Sequence, residues 1–377
     1  MPMSWSSDSV TRENEDVPPS RLVVNCRFLT RPVTGVERFA REITTHLAET
    51  VDDIVLVAPS TIEPGTRIAG REVLPVGRLR GHLWEQVSLP RYLRSLGTPM
   101  LLDLANTGPL MWRHQLYVLH DVAFITHPES YRPMFRLAYR IIAGTLVRRA
   151  TRVATVSDFS RDEIVRVFGC PEVQIGIVPN AVSAFVSRPT GFDLPQLGNG
   201  RFFLAVGSAA HHKNTDTLMD AYANLRRQVE QPPSLVIVGG HSKGLRHGAA
   251  SAERPGVIEL GRVSDSQLAQ LYAHATGFVY PSRYEGFGIP PLEAQAAGAP
   301  LVVSHRRPFT DLIEEGSALW CDPDDAASIA FALKRVAESP ELRERLVENG
   351  VANAARYSWA ESARRLLEIV TGDSRGE

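Results

Sequence analysis

The feature that most constrains the fold of this chain is a repeated alternation of short apolar segments with longer amphipathic ones. In the first half, apolar segments typical of strands occur at 21–29, 53–59, 115–124 and 152–160, and 35–49 has the periodicity of an amphipathic helix. Short strands that alternate with longer helical segments are typical of parallel sheets with crossover helices. The first half is therefore predicted to form an α/β domain.

A second alternation of the same kind occupies the rest of the chain. The stretch that separates the two alternations ends at Gly200, is rich in Pro, Gly and Asn, and is typical of an interdomain linker. Ligands of open α/β sheets bind at the carboxyl ends of the strands, so two facing domains predict a cleft between them. The apolar segments of the second alternation lie at 202–208, 234–240, 257–261, 277–282 and 300–304.

The predicted organisation has five parts. The sequence SWAE at Ser358–Glu361 matches a capping box and predicts the start of the last helix. The parts are a disordered leader at 1–20, an N-terminal Rossmann-like domain at 21–185, a linker at 186–200, a C-terminal Rossmann-like domain at 201–356, and a final helix with its tail at 357–377.

The composition restricts the partners and the compartment of this chain. Its 377 residues are enough for two domains, and its net charge of −1 provides no general attraction for nucleic acid. The three cysteines lie far apart and form neither a zinc-type spacing nor a disulfide framework. The polar leader does not resemble a signal peptide, and no segment approaches the roughly 20 apolar residues of a membrane helix. A cytoplasmic location is therefore expected.

The segment EGFGIPPLE, Glu285 to Glu293, directly follows an apolar strand and leads into a helical segment. Its two glycines allow the backbone to approach a ligand closely, and Pro290 and Pro291 suit the first turn of a helix. The start of such a helix offers free amides and the positive end of its dipole, which stabilise a diphosphate. Glu285 is expected at the end of the strand and Glu293 in the first turn of the helix. The two glutamates would repel phosphate and are better suited to binding the hydroxyls of sugars and riboses.

An ordinary strand–turn–helix connection is the alternative interpretation, with Glu285 solvated and Glu293 complementing the helix dipole. The paired glycines and prolines favour the ligand-binding interpretation. The whole segment 285–300 resembles the signature region of the retaining glycosyltransferases of family 4, in which seven residues separate two glutamates.

Further motifs extend this resemblance over most of the chain, in the order in which they occur in the family. Segments 83–90 and 120–131 resemble the bacterial mannosyltransferase-like branch. The resemblance implies the GT-B fold, in which two Rossmann-like domains face each other across a cleft and a C-terminal helix crosses back to the N-terminal domain. The other motifs are GVERFAREI at 35–43, the segment 149–164, IVPNAV at 177–182, and the segment 206–222.

The resemblance also implies roles for single residues. Glu293 is expected to bind the ribose hydroxyls of the donor, Glu285 its sugar hydroxyls and Lys213 its diphosphate, and His120 is expected beside the sugar. His120, Glu285 and Lys213 are therefore the candidate catalytic residues. The candidate donor-binding residues are Gly35, Gly207, Ser208, Lys213, Asn214, Arg262, Val263, Arg283, Glu285, Gly286, Phe287, Gly288 and Glu293.

One position departs from the family's commonest pattern. Many members have an arginine directly after the Val-Gly of the first C-terminal strand, where it pairs with the lysine on the diphosphate. Here that position is Ser208. A second cation must then come from elsewhere, with Arg283 and Arg262 as candidates, or be missing.

Other polar residues have competing interpretations. His120 follows an apolar strand, so a buried structural histidine is its alternative, and Asp121 would orient that histidine or cap a turn. His211 and His212 are expected at the surface of a loop. Asp322-Pro-Asp324 has the spacing of a metal-binding D-x-D, but its position before an apolar helix indicates a turn and an N-cap. Neither a metal nor a cofactor is expected, and the co-substrate would be a nucleotide sugar.

The segment 131–152 mixes aromatic, apolar and arginine side chains, within a region from Arg67 to Arg152 that contains 13 arginines and 5 acidic residues. One interpretation is a core helix with a solvated basic face. The other is a surface that meets anionic lipid or a lipid-diphosphate acceptor at the inner face of the plasma membrane.

The resemblance implies retaining transfer of a hexose from a nucleoside diphosphate sugar to a hydroxyl of a glycan or lipid-linked glycan, with GDP-mannose as the leading donor. One alternative is a glycosyltransferase that uses a UDP- or dTDP-sugar on a small-molecule acceptor. Another is an inactive relative that only binds sugar nucleotides. A nicotinamide-dependent dehydrogenase is disfavoured because no G-x-G-x-x-G follows a predicted strand.

Overall fold

The structure is a computed structural model that describes residues 21–187, 200–207, 210–239 and 255–372. The predicted leader lies outside the described residues, as do most of the predicted linker, Ser208 and the end of the tail.

Two separate sheets form the two domains, as the double alternation predicts. The first sheet has the strand order β3-β4-β2-β1-β5-β6-β7-β8, and all its strand pairs are parallel except the short edge pair β3–β4. Its strands are β1 (Leu22–Asn25), β2 (Ile54–Pro59), β3 (Arg67–Ile68), β4 (Arg71–Val76), β5 (Met100–Asp103), β6 (Gln115–Val118), β7 (Arg152–Thr155) and β8 (Ile175–Ile177).

The second sheet is parallel throughout and has the order β11-β10-β9-β12-β13-β14. Its central strands β9 and β12 are neighbours although two strands separate them in sequence, so the strand order reverses at this point. Such a switch point opens a crevice at the carboxyl ends of the strands. The strands are β9 (Phe202–Val206), β10 (Ser234–Val238), β11 (Val257–Gly261), β12 (Gly277–Tyr280), β13 (Leu301–Ser304) and β14 (Leu319–Cys321).

Helices connect the strands of both sheets. Most of the strands predicted from the sequence are shorter in the structure, because the chain turns at their polar ends; residues Cys26–Thr30, for example, form a 3-10 helix. The helices are α1 (Gly35–Thr50), α2 (Gly81–Leu83), α3 (Leu89–Ser95), α4 (Ala123–Thr126), α5 (Pro133–Arg149), α6 (Asp158–Phe168), α7 (Thr215–Gln228), α8 (Asp265–His274), α9 (Ile289–Ala296), α10 (Phe309–Leu312), α11 (Ala326–Glu338), α12 (Pro340–Ala354) and α13 (Trp359–Thr371), and a π-helical turn, Trp84–Ser88, joins α2 to α3.

The last helix, α13, crosses back to the N-terminal domain, which confirms the predicted crossover. Trp359 and Leu366 are buried in the same apolar core as the strands of the first sheet. The Ser362 hydroxyl donates to the Pro179 carbonyl at 2.7 Å. Ser358 caps the helix as predicted by accepting from the amide of Glu361, but the Glu361 carboxylate pairs with arginines of its own helix instead of completing the capping box.

Among the helices of the described residues, none has the length and apolar character needed to span a bilayer.

Candidate functional site

The segment Glu285–Glu293 joins β12 to α9 at the switch point of the second sheet. Gly288 is the N-cap of α9 and has a φ of +108°, and a Cβ added there would lie 2.7 Å from the Phe309 ring. Both constraints favour glycine at this turn. Pro290 and Pro291 occupy the first turn of α9, as predicted. Glu293 lies one turn into the helix, so its predicted position within the first turn is wrong by one residue.

Glu285 lies in a cluster of donors at the end of β12. Its Oε1 accepts hydrogen bonds from Lys213 Nζ at 2.5 Å, from the Tyr280 hydroxyl at 2.8 Å and from the Ser282 hydroxyl at 2.8 Å. Burial alone would raise the pKa of Glu285, but the charge of Lys213 and these hydrogen bonds outweigh burial, so the pKa lies below its usual value. Glu285 is therefore held as a carboxylate.

Glu293 lies in a different environment. It is buried, its Oε2 accepts a hydrogen bond from the Tyr272 hydroxyl at 3.2 Å, and its Oε1 has no hydrogen-bond partner among the described residues. Burial raises the pKa of Glu293 to about 7, against the opposing charge of Arg38. A buried carboxylate oxygen without a donor is costly, and a ligand hydroxyl would satisfy it.

Three aromatic rings connect the two glutamates. Tyr280, which donates to Glu285, stacks on Phe278 with ring centroids 5.8 Å apart. Phe278 in turn makes an edge contact of 5.3 Å with Tyr272, which donates to Glu293. The two carboxylates therefore belong to one packed unit on β12, α8 and α9.

Lys213 ends a 3-10 turn, His211–Lys213, that lies beside the carboxyl end of β9. Asn214, in a left-handed conformation, donates to the carbonyls of Pro281 and Pro323 and ties this turn to the end of β12. A Cβ added to Gly207 would lie 3.7 Å from the Lys213 side chain. Gly207, Lys213, Tyr280 and neighbouring residues of the C-terminal domain line a small cavity of about 20 Å³ beside this turn.

The structure places the other candidate cations outside this cluster. Arg283 Nε lies 2.6 Å from Asp324 Oδ1, and a second nitrogen donates to the Thr217 hydroxyl. Arg262 is exposed after β11, and the neighbouring Val263 is half-buried against the core of the second domain. Ser208 lies outside the described residues.

Gly286 forms the contact between the site and the N-terminal domain. Its carbonyl accepts hydrogen bonds from the Ser157 hydroxyl at 2.6 Å and from the Ser160 hydroxyl at 2.9 Å. A Cβ added at Gly286 would lie 2.7 Å from the carbonyl oxygen of His120. Phe287 is buried in the core that contains the first sheet. The motif therefore packs against both domains.

His120 and Gly35, the predicted site residues of the N-terminal domain, both lie against this motif. His120 follows β6, is buried, and its Nε2 lies 3.0 Å from the carbonyl of Leu104. Burial lowers the pKa of His120 to about 4, so its ring is neutral at pH 7. Asp121 accepts from the amide of Ala123 and so caps the turn that precedes α4, which is one of its two predicted roles, while the N-cap of the helix is Val122. A Cβ at Gly35 would lie 3.5 Å from the Ile289 side chain.

The prediction that His212 lies at the surface is wrong. His212 is buried between the domains, where its Nδ1 lies 3.0 Å from the Ser130 hydroxyl, and burial lowers its pKa to about 4. Its neighbour His211 is exposed, as predicted. The only sequence signal for His212 is its place next to Lys213, because its partner is 82 residues away.

Arg38, in the first turn of α1, is a further residue of the cleft that was not among the predicted site residues. Its guanidinium forms a bidentate ion pair with Asp265 of the C-terminal domain, with N–O distances of 2.9 and 3.2 Å. Arg38 lies close enough to Glu293 to lower the pKa of that carboxyl. Its place three residues after Gly35 was the available signal.

The Asp322-Pro-Asp324 segment forms a turn, as predicted. Asp322 accepts from the amide of Asp324, whose own carboxylate pairs with Arg283 and Arg306. The N-cap of α11 is the next residue, Asp325. In the part of the chain that the structure describes, no group of three or more His, Cys, Asp or Glu residues is arranged to hold a metal ion.

Comparison with known protein families identifies the family of this chain. The family model of Glycosyltransferase Family 4 matches residues 33–184, and the model of Glycosyl transferases group 1 matches residues 192–352. The chain belongs to glycosyltransferase family 4. This family 4 glycosyltransferase is a nucleotide-sugar-dependent enzyme, and the matches cover both domains that contribute to the cleft.

Two curated relatives of this glycosyltransferase are bacterial O-antigen chain mannosyltransferases. RfbU from Salmonella typhimurium is 27% identical over 344 residues, which cover 86% of this chain and 93% of the relative. O-antigen chain mannosyltransferase B from Escherichia coli is 33% identical over 252 residues, which cover 64% of this chain and 65% of the relative. The resemblance to a mannosyltransferase-like branch is thereby confirmed.

Solved structures confirm the GT-B fold. The Anabaena protein HepE, in a complex with UDP-glucose, superposes with a TM-score of 0.71 at 16% identity and covers 93% of this chain and 99% of its own. Sucrose-phosphate synthase from Thermosynechococcus elongatus superposes with a TM-score of 0.69 at 17% identity and covers 93% of this chain and 98% of its own.

Proposed function

We propose that this enzyme transfers mannose from GDP-mannose to a hydroxyl of a glycan or lipid-linked glycan, with retention of the anomeric configuration. The two curated relatives named as O-antigen chain mannosyltransferases support the sugar and the class of acceptor. The proposed site is the cleft around Glu285, Lys213 and Glu293.

The observation that carries this proposal is the contrast between the two glutamates of one strand–helix connection. Glu285 is a carboxylate surrounded by donors, whereas Glu293 has a buried oxygen without a donor. Glu293 is proposed to accept from the ribose hydroxyls, and Glu285 from hydroxyls of the sugar. The diphosphate is proposed to accept from the amides of Gly288 and Ile289 at the start of α9, since Pro290 and Pro291 have no N–H.

Charge stabilisation on the departing diphosphate is the main catalytic requirement of such a transfer. Lys213 and the start of α9 are proposed to supply it without a metal. Because Lys213 is paired with Glu285 in the structure, donor binding must share or exchange this contact. The acceptor hydroxyl is proposed to attack from the face that the diphosphate leaves, with the leaving phosphate accepting its proton. No enzyme nucleophile is then required.

His120 is proposed to shape the reaction centre from the N-terminal side. Its carbonyl lies against Gly286, and its Nε2 is directed to the carbonyl of Leu104. A neutral, buried ring with this partner suits positioning of the 120–124 loop better than proton transfer.

We propose in addition that helix α5 touches an anionic membrane that carries the acceptor. Met134, Leu137 and Ile141 are 80%, 57% and 56% exposed and follow helical spacing on one face. Helix α5 has no acidic residue, and its Arg136 and Arg140 form no ion pair with a described residue. Ser130 and Tyr131, which precede α5, contact His212 across the cleft, so this surface lies at the mouth of the site.

A panel of nucleotide sugars tests the donor assignment. The enzyme is incubated with GDP-mannose, UDP-hexoses, dTDP-deoxyhexoses and NAD, and thermal stabilisation and slow donor hydrolysis are recorded. Stabilisation and hydrolysis with GDP-mannose are expected. Preference for a UDP- or dTDP-sugar would contradict the donor, and stabilisation by NAD alone would contradict the whole proposal.

Vesicle sedimentation tests the membrane contact. The enzyme is expected to sediment with vesicles that contain phosphatidylglycerol and to remain free with phosphatidylcholine alone. A variant with Met134, Leu137 and Ile141 changed to Ser should lose this binding. The matched control is Phe331→Ser, which changes a 63% exposed side chain on α11 of the other domain and should bind as the wild type does. Equal sedimentation of all three proteins would contradict the contact.

A further inference from the structure

Arg38 reaches across the cleft from the first turn of α1. Its side chain is 18% exposed, and its guanidinium lies 4.7 Å above the ring of Phe185. Its carboxylate partner, Asp265, belongs to the opposite domain and is 56% exposed. A guanidinium held over a ring by a solvated carboxylate is already oriented for bidentate binding of an oxyanion and can exchange its partner at low cost.

The surroundings of Arg38 place it at the nucleotide end of the proposed donor site. Helices α1 and α9 begin side by side, since a Cβ at Gly35 would contact Ile289. One turn farther along, Arg38 acts on the charge of Glu293, whose Oε1 is buried and without a partner among the described residues. Asp265 begins α8, which also supplies Tyr272 to Glu293.

The other cations near the site are held by carboxylates of their own domain. Lys213 pairs with Glu285, and Arg283 pairs with Asp324. The Arg38–Asp265 pair differs because it joins the two domains. Any widening of the cleft at this point would separate the pair and leave the Arg38 guanidinium free to take another anion.

We propose that Arg38 binds the donor nucleotide at the phosphate next to the ribose, and that Asp265 occupies its guanidinium until the nucleotide arrives. This inference rests on the proposed function and deepens it, because it assigns the second phosphate-binding cation to the N-terminal domain. Arginine suits this role because two N–H groups of its guanidinium can donate in parallel to two phosphate oxygens. Asp265 stays solvated after the exchange, so the loss of its partner costs little.

If Asp265 competes with the nucleotide for Arg38, substitutions at these two positions should change the affinity for GDP in opposite directions. Asp265→Asn removes the competing charge and should tighten the binding of GDP by several-fold, whereas Arg38→Ala should weaken it about tenfold. Arg38→Lys should keep part of the affinity. Binding is measured by calorimetry with GDP, GMP, guanosine and UDP, and the fold of each variant is checked by its thermal unfolding. The loss of affinity caused by Arg38→Ala should be observed with GDP and GMP, which carry the phosphate next to the ribose, and should be absent with guanosine.

A second interdomain ion pair provides the matched control. Arg307 pairs with Asp162 at 2.6 Å and lies over the ring of Phe159, much as Arg38 pairs with Asp265 and lies over Phe185, but Arg307 has a second carboxylate partner, Asp311, in its own domain. If Asp265→Asn acts only by loosening the cleft, Asp162→Asn should tighten GDP binding equally, and the inference is then overturned. Equal weakening by Arg38→Ala and Asp265→Asn, or no effect of either, also overturns it. If the wild type binds no nucleoside diphosphate, the proposed function itself fails, and the inference with it.

Discussion

Lys213 and Glu285 form an ion pair with 2.5 Å between Nζ and Oε1, and this pair joins the residue proposed for the diphosphate to the one proposed for the sugar. The hydroxyls of Tyr280 and Ser282 donate to the same oxygen. If Lys213 binds the diphosphate as proposed, the phosphate oxygens of the donor must share or replace its contact with Glu285.

Glu285→Gln should separate sugar recognition from nucleotide binding. We expect kcat/KM with the donor to fall by about 100-fold, since a charged contact at the reaction centre is lost. The affinity for GDP should stay the same or rise, because Lys213 is released from its ion pair. Steady-state kinetics and GDP calorimetry on the same preparations measure both effects. Wild-type turnover in this variant would show that Glu285 does not contact the sugar.

Glu293→Gln should change how stability depends on pH. Burial raises the pKa of Glu293 to about 7, so the folded state binds more protons than the unfolded state between about pH 4.5 and 7. The stability that this group contributes is therefore present at pH 4.5 and is lost as the pH rises through 7, by about 3 kcal/mol. Urea unfolding should show Glu293→Gln more stable than the wild type at pH 8 and similar at pH 5. The same difference at both pH values would contradict the raised pKa.

His212→Asn should reduce the sensitivity of the fold to acid. Burial lowers the pKa of His212 to about 4, so the unfolded state binds more protons than the folded state between about pH 6.5 and 4. The stability contributed by the neutral ring is thus present above pH 6.5 and is lost, by about 3 kcal/mol, as the pH falls through 4. Asparagine keeps a polar partner for Ser130 without titrating. Urea unfolding at a series of pH values measures how the free energy of unfolding changes with pH in the wild type and in the variant. The same dependence on pH in both proteins would contradict a buried, neutral His212.

Gly286→Ala should disturb the closed arrangement of the two domains. The new Cβ would lie 2.7 Å from the carbonyl oxygen of His120 and 3.0 Å from the Asp121 side chain. Turnover should fall at least tenfold, because the proposed site residues of the two domains would no longer be correctly positioned relative to each other. Small-angle scattering should show a larger radius of gyration at an unchanged helix content. Full activity with unchanged scattering would show that the domains do not close through this contact.

The two-domain fold was largely predictable from the sequence, because most of its central strands have a local signal, whereas β3, β4, β5, β8 and β14 were not among the predicted strands. The alternation of apolar and amphipathic segments predicted two parallel sheets, and Ser358 marked the start of the helix that crosses back. The glycines and prolines around 288 predicted the strand–turn–helix connection that carries both glutamates. Glu293 lies one residue beyond its predicted place in the first turn, most predicted strands are shorter, and Glu361 does not complete the predicted capping box.

The contacts across the cleft could not be predicted in the same way. The partners of Arg38 and His212 lie 227 and 82 residues away in sequence, and no local pattern records how two domains face each other. The ion pair of Lys213 with Glu285 was missed for a related reason: each residue had been assigned to a ligand, and their proximity follows from the turn that Asn214 fixes. Side chains that meet only after domain docking need the structure.

The most direct test of the proposed function is nuclear magnetic resonance of the sugar-transfer product. The enzyme is incubated with GDP-mannose and a membrane fraction or mannoside acceptor, with Glu285→Gln as the control. The one-bond carbon–proton coupling at the new anomeric centre is then measured. The proposed mechanism predicts that GDP and an α-mannoside form with the wild type and are strongly reduced with the variant. Formation of a β-mannoside would contradict retention, and equal turnover by the variant would contradict the site.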